Sequence, residues 1–223
     1  MRKFVIFCLA ALSVAVLLIA CSGSPKASGQ EGAEKKSTGD PFYDKKAAIV
    51  QDIRNPANKL VTLETNFGKM TLELFHDVAP NHADSFVART EEGFYDSTIF
   101  HRVVAGFMIQ GGDPTGTGMG DAGYNLPAEF SDLPHKEGTL SAARSQDPNS
   151  ASCQFFICLD RNTSTRYLDG RYSVFGQLIR GYDVLHRIGK VPVGPNRGGE
   201  MSKPLNEVTL IRAYLSDAEG NPL

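Results

Sequence analysis

Hydrophobic positions fall into three regimes along this chain, and each predicts a different kind of segment. Phe4 to Ala20 is an apolar run broken only by Ser13. At about 1.5 Å rise per residue its 17 residues reach roughly 25 Å, short of the roughly 30 Å of a bilayer core. Ser22 to Asp40 then offers almost nothing to bury, being mostly Ser, Gly, Lys, Glu and Ala. Such a stretch cannot offset its ordering entropy and reads as a flexible tether. Between 42 and 55 a short amphipathic helix is expected, with Phe42, Ile49, Val50 and Ile53 on one face and Pro56 beyond its end.

From Lys59 the pattern becomes that of a folded domain. Leu60 to Glu64 and Met70 to Leu74 flank Asn66-Phe67-Gly68 and predict a hairpin. Pro80 opens a helix to about Thr90, with Ala83, Phe86 and Val87 as its apolar stripe and Gly93 past its end. Further strands are expected over 99–104, 107–110, 138–142, 154–159, 172–178 and 208–214, and a second helix over 182–188 between Gly181 and Gly189. Many strands with turn punctuation and two substantial helices argue for an antiparallel barrel or sandwich capped by helices. A domain of about 165 residues buries close to 70% of its unfolded surface, enough for one core without staples.

Composition changes the picture mainly at the start. Arg2 and Lys3 precede the apolar run and small residues end it, which reads as a secretory signal over 1–20. Leu18-Ile19-Ala20-Cys21 resembles the bacterial lipobox. That resemblance implies lipidation at Cys21, palmitate included, so that the domain over 59–223, beyond the tether over 21–41 and the helical or linker segment over 42–58, would be extracytoplasmic and held to the cell membrane or outer membrane. An ordinary signal, or an anchor with an incidental cysteine, is the alternative. Acyl chains on one cysteine would anchor it, since each buried CH₂ contributes roughly 0.8 kcal/mol. Formal net charge is −2 and becomes −4 once Arg2 and Lys3 leave with the signal. No basic stripe points to nucleic acid as a partner. Cys153 and Cys158 lie five apart in a strand-like run, so they face opposite sides and read as small buried residues without a disulfide.

The chemistry concentrates in FHRVVAGFMIQGGD, from Phe100 to Asp113. One fixed cation, Arg102, precedes the apolar pair Phe107 and Met108 and the uncharged hydrogen-bonding Gln110. Gly111 and Gly112 then allow close backbone approach. A cation beside an apolar trough suits a greasy substrate carrying an amide, and suits neither a phosphate nor a metal ion. The Gly-rich stretch 111–123 lacks the following helix with Lys and Ser/Thr that a phosphate loop needs, so it reads as a plain loop. No Ser-His-Asp order and no metal-ligand spacing competes, and neither cofactor nor metal is expected.

Several longer motifs occur in register: Thr98–Val104, Gly106–Asp113, Gly116-Thr117-Gly118, Glu129-Phe130, Gln154–Ile157, Leu168-Asp169-Gly170 and Val174-Phe175-Gly176. Together they resemble the cyclophilins, the cyclophilin-type peptidyl-prolyl cis-trans isomerases, from about Lys59 to the last strand. The resemblance implies a mainly β fold, a closed eight-stranded antiparallel barrel with a helix over each end, in a monomeric enzyme acting on proline-containing polypeptides. It implies Arg102 as the donor to a twisting amide, with Phe107 and Gln110 beside it as catalytic residues. Met108, Phe156 and Leu168 would complete the proline pocket, and Ala143, Arg144, Gln154 and Tyr172 would be further substrate-binding residues of the groove. Phe155 would be core, and His101 a satisfied structural histidine on the opposite strand face from Arg102. Ala105 stands where the family usually has proline, and Arg144 where it often has asparagine, a residue used through its backbone. The 145–148 segment looks one residue longer than common. Tyr167 stands where many eukaryotic members carry a cyclosporin-contacting tryptophan, so weak cyclosporin sensitivity is expected. A binding module on the same fold is the second reading; a surface adhesin is the third.

Overall fold

The computed structural model of the protein describes residues 57–223 together with Asn55. The expected signal, Cys21, the tether and the helix over 42–55 lie outside the described residues.

The hairpin forms as its alternation requires. Strands β1 (Leu60–Thr65) and β2 (Gly68–Leu74) pair antiparallel, with Leu60 opposite Glu73 and Thr65 opposite Gly68. Thr65 Oγ1 fastens the turn by donating to the Gly68 carbonyl at 2.7 Å and accepting from the Phe67 N–H at 3.1 Å. Helix α1 (Pro80–Glu91) has Pro80 in its first turn, but Ala79 before it has no side-chain acceptor. Glu129, far along the chain, supplies one by accepting the N–H groups of Asn81 and His82 at 3.0 Å each, which satisfies two of the helix's orphan donors.

The strands that follow are β3 (Thr98–Ile99), β4 (Arg102–Val104), β5 (Met108–Gly111), β6 (Thr139–Ala142) and β7 (Phe155–Cys158). After the short helix α2 (Thr163–Arg166) come β8 (Val174–Arg180), helix α3 (Tyr182–Ile188), β9 (Val193–Pro195), β10 (Met201–Pro204) and β11 (Thr209–Leu215). Nine strands form one curled antiparallel sheet in the order β3-β11-β1-β2-β8-β6-β7-β5-β4, and β9 and β10 form a separate ribbon.

This differs from the expected closed eight-stranded barrel. The run 99–104, expected as one strand, bends at Phe100-His101. Its first part, β3, pairs with β11 and its second, β4, pairs with β5. The two end strands of the sheet are therefore joined by the chain and not by ladder hydrogen bonds. Phe100 causes the break by turning into the core, edge-on to Phe155 at 6.0 Å. Helix α2 and the β9–β10 ribbon also have no counterpart in the expected pattern. Both are too short for a period to show, and α2 owes its start to an Asn162 cap.

Two apolar clusters result. The larger takes the stripes of α1 and α3 with Val61, Leu63, Met70, Ile109, Phe155 and Ile157. Met108, Phe156, Cys158 and Leu168 form the smaller one. Adjacent strand residues face opposite ways, so Phe155 packs 5.2 Å from Phe86 while Phe156 belongs to the other cluster. Cys153 and Cys158 are free and buried in different clusters. Gly112 makes the junction possible: its φ is +81° and a Cβ there would lie 2.5 Å from the Cys153 carbonyl oxygen.

Candidate functional site

Register across three strands assembles the site. Arg102 on β4 lies opposite Gln110 on β5, and Gln110 lies opposite Phe156 on β7. Residues two apart share a face, so Met108 stands beside Gln110 on that same side. Phe107 enters from the turn before β5, Leu168 from just after α2, and Ala143 from the end of β6. Together with Arg144 and Tyr172 they line a groove of about 200 Å³. Its floor is apolar and almost sealed, with Met108, Phe156 and Leu168 all buried.

The groove is ringed by polar fasteners. Arg102 Nη1 donates to Gln110 Oε1 at 3.2 Å, and Gln110 Nε2 donates to Gln154 Oε1 at 3.0 Å. Gln154 does not line the groove. It stands behind Gln110 and donates to the carbonyls of Gly118 (3.2 Å) and Gly120 (2.8 Å). The Gly-rich loop is in turn set by Asp113, which accepts from the Thr115 N–H at 2.7 Å and its hydroxyl at 2.8 Å. Burial pushes the Asp113 carboxyl up, and hydrogen bonds from Thr115, Gly120 and Gly118 outweigh it, leaving it below the usual carboxylate range. The loop thus orders a glutamine, which orders another, which orders the arginine.

On its far side Arg102 meets a residue that no motif singled out. Its Nε and Nη2 each donate to the Glu200 carboxylate at 2.7 Å. The hydrogen bond from Arg102 holds the Glu200 carboxyl at about 2. Glu200 sits between β9 and β10, where its N–H donates to Asn196 Oδ1 at 3.0 Å and its carbonyl accepts from the Asn196 N–H at 2.8 Å. In sequence it is an acid in a Gly-rich turn, 98 positions from Arg102.

His135 backs the pocket. Its ring stacks on Phe156 with centroids 6 Å apart to the nearest ångström (5.9 Å) and planes at 15°. Its Nε2 lies 3.0 Å from the Ser141 hydroxyl and its Nδ1 3.2 Å from Asp169. Burial lowers the His135 pKa and keeps the ring neutral. Asp169 also accepts from the His135 N–H at 2.7 Å and from Arg161 Nη2 at 2.7 Å. Burial works against that carboxylate, but the hydrogen bonds of His135 and Arg161 hold it at about 2. The network pins the residue that follows Leu168.

Tyr172 forms the groove edge, T-shaped on Phe156 at 5.9 Å. Arg144 contributes its side chain as well as its backbone: the guanidinium lies 4.3 Å from the Tyr172 ring centroid and donates to the carbonyls of Ser145, Gln146 and Arg171. His101, expected to be satisfied, has no hydrogen-bond partner for either ring nitrogen among the described residues. It sits in the bend after β3, where its ring lies close against Gly118.

The sequence profile described as "Cyclophilin type peptidyl-prolyl cis-trans isomerase/CLD" matches residues 60–215. The peptidyl-prolyl cis-trans isomerase CYP18-1 of Arabidopsis thaliana is 42% identical over 168 residues, covering 73% of this chain and 98% of that protein. A peptidyl-prolyl cis-trans isomerase of Synechococcus elongatus is 47% identical over 115 residues, covering 52% of this chain and 77% of its own length. Among solved structures, a cyclophilin-type isomerase of Cryptosporidium parvum, crystallised in the presence of the dipeptide Ala-Pro, superposes with a TM-score of 0.64 at 35% identity. It covers 71% of this chain and 99% of its own.

Proposed function

Because the chain belongs to the cyclophilin-type peptidyl-prolyl cis-trans isomerases, we propose that the groove at Arg102 is where it rotates X-Pro bonds, and that it does so outside the cytoplasm on a lipid anchor at Cys21. The isomerase activity follows from the family; the residue roles and the location are our reading.

Resonance sets a rotation barrier of about 18–20 kcal/mol, and uncatalysed exchange takes roughly 10–100 s. Rotation breaks conjugation and leaves the prolyl nitrogen pyramidal and basic. The reaction breaks no covalent bond, so it asks for neither nucleophile nor general base. It asks for a pocket that fixes the ring and a donor that favours the twisted amide over the planar one. Met108, Phe156, Leu168 and Phe107 supply the pocket, and Arg102, always charged, supplies the donor. Gln110 accepts from Arg102 and donates to Gln154, and its remaining Nε2 proton would bond the substrate backbone. Ala143 and Tyr172 bound the groove, Arg144 closes its end, and Gln154 steadies Gln110.

One observation carries this reading: a guanidinium fixed beside an open groove of about 200 Å³ whose floor is made by the buried Met108, Phe156 and Leu168. The test is isomerisation of a short X-Pro peptide by the full chain and by Arg102→Ala. The unmutated protein should accelerate exchange, and the variant should lose about 100-fold in kcat/KM. Equal rates for the two would remove Arg102 from its role.

A further inference from the structure

Arg102 and Glu200 form a geometrically demanding pair in a place where an ion pair contributes little to stability. Their side chains are 29% and 44% exposed. Even so, the carboxylate takes two donors of the guanidinium edge at 2.7 Å each. Glu200 is itself braced, since Asn196 Oδ1 accepts its N–H at 3.0 Å and Asn196 Nδ2 reaches Ser202 Oγ at 3.1 Å. The ribbon bearing both residues packs beside β4, the strand of Arg102.

We infer that Glu200 is a positioning residue for the isomerisation, fixing the plane of the Arg102 guanidinium so that its remaining N–H groups face the twisting prolyl amide. This rests on the groove being the site of reaction. With Nε and one Nη2 proton on Glu200 and one Nη1 proton on Gln110, the fork is held from two sides and has little freedom to turn. Nη1 also donates to the Met108 sulfur at 3.8 Å, a weak acceptor that a substrate acceptor would displace. An untied arginine would spread its donors over many rotamers, and only one orientation serves a single directional hydrogen bond to nitrogen.

A carboxylate at this distance has an opposite effect as well, because it screens the positive charge. Orientation outweighs it here. The twisted prolyl nitrogen is an uncharged acceptor that needs one well-aimed N–H, and guanidinium keeps its proton whatever its partner.

The experiment measures kcat and KM on an X-Pro peptide for the full chain, Glu200→Ala, Glu200→Gln and Arg102→Ala. Glu219→Ala, which removes a carboxylate paired with Arg180, serves as the surface control. Glu200→Ala should lower kcat about tenfold with KM within about twofold, and Glu200→Gln, which keeps an acceptor, should fall between it and the native protein. The Arg102 Nε–H resonance should be protected from exchange in the native protein and lost in Glu200→Ala, while Tm moves by less than about 2 °C. A Glu200→Ala enzyme as fast as the native one, or faster, would overturn the inference, as would a change confined to KM. An Arg102→Ala enzyme of native activity would instead overturn the groove reading, a separate result.

Discussion

Tyr167 shows what a single side chain announces and what it hides. Its ring is 65% exposed at the rim of a second cavity of about 740 Å³ and stacks with Arg171, whose guanidinium lies 4.2 Å from the centroid. An indole would place an N–H on the ring edge, whereas tyrosine carries its donor at the far tip. The chain should therefore respond weakly to cyclosporin, and Tyr167→Trp should tighten inhibition about tenfold, the worth of one hydrogen bond. Inhibition constants for the two proteins decide it; equal values would exclude the missing indole donor as the cause. Residues of this kind were legible because they sit inside long motifs. Arg102, Gln110 and Phe156 come together through strand register, and Phe107 joins them from the turn before β5. Glu200 was illegible for the converse reason. Its partner is remote, and an acid in a Gly-rich turn looks like any solvated acid.

Elements were read well where glycine or proline punctuates a period. Gly181, at φ +91°, and Gly189 bracket α3 at the expected Tyr182 and Ile188. The strand over 99–104 was misread because nothing local tells that Phe100 turns inward. The segment with Leu168 was missed as an element altogether. It is held by a charge network, with Asp169 joining Arg161 to His135. Asp169→Asn should loosen Leu168 from the pocket and cost about 2 kcal/mol or more, since Arg161 would be left nearly buried without its counterion. The pH dependence follows in sign. The depressed Asp169 stabilises the fold above the ordinary carboxylate range, and that contribution fades as pH falls from about 4 toward 2. His135 is held neutral, so the unfolded chain takes up a proton first and stability also falls as pH drops through about 6.5. Urea melts from pH 8 to 2 should show both declines, and Asp169→Asn should flatten the lower one. A variant curve parallel to the native curve throughout would refute the assignment.

At the scale of the whole molecule, the class of fold was visible and its closure was not. Strand count and alternation predicted an antiparallel barrel or sandwich capped by helices; the structure has a curled antiparallel sheet, and the split of one expected strand into two ladders accompanies a single core contact. Every residue proposed for the groove lies between 102 and 200, within elements that belong to that sheet, its ribbon or the loops between them. Among the described residues, those lining it run from Arg102 to Tyr172. We expect the anchor proposed at Cys21 and the chemistry proposed at Arg102 to be separable. Cys21→Ser should leave the protein in the soluble fraction and without label when cells are fed labelled palmitate, while the native chain is labelled and sediments with membranes. Toward a short soluble peptide both should show the same kcat/KM within about twofold, because a substitution remote from the site seldom perturbs it. A Cys21→Ser protein that still sediments would mean that another segment attaches the chain. A labelled native protein whose catalysis falls with the cysteine would mean that the groove depends on its tether after all.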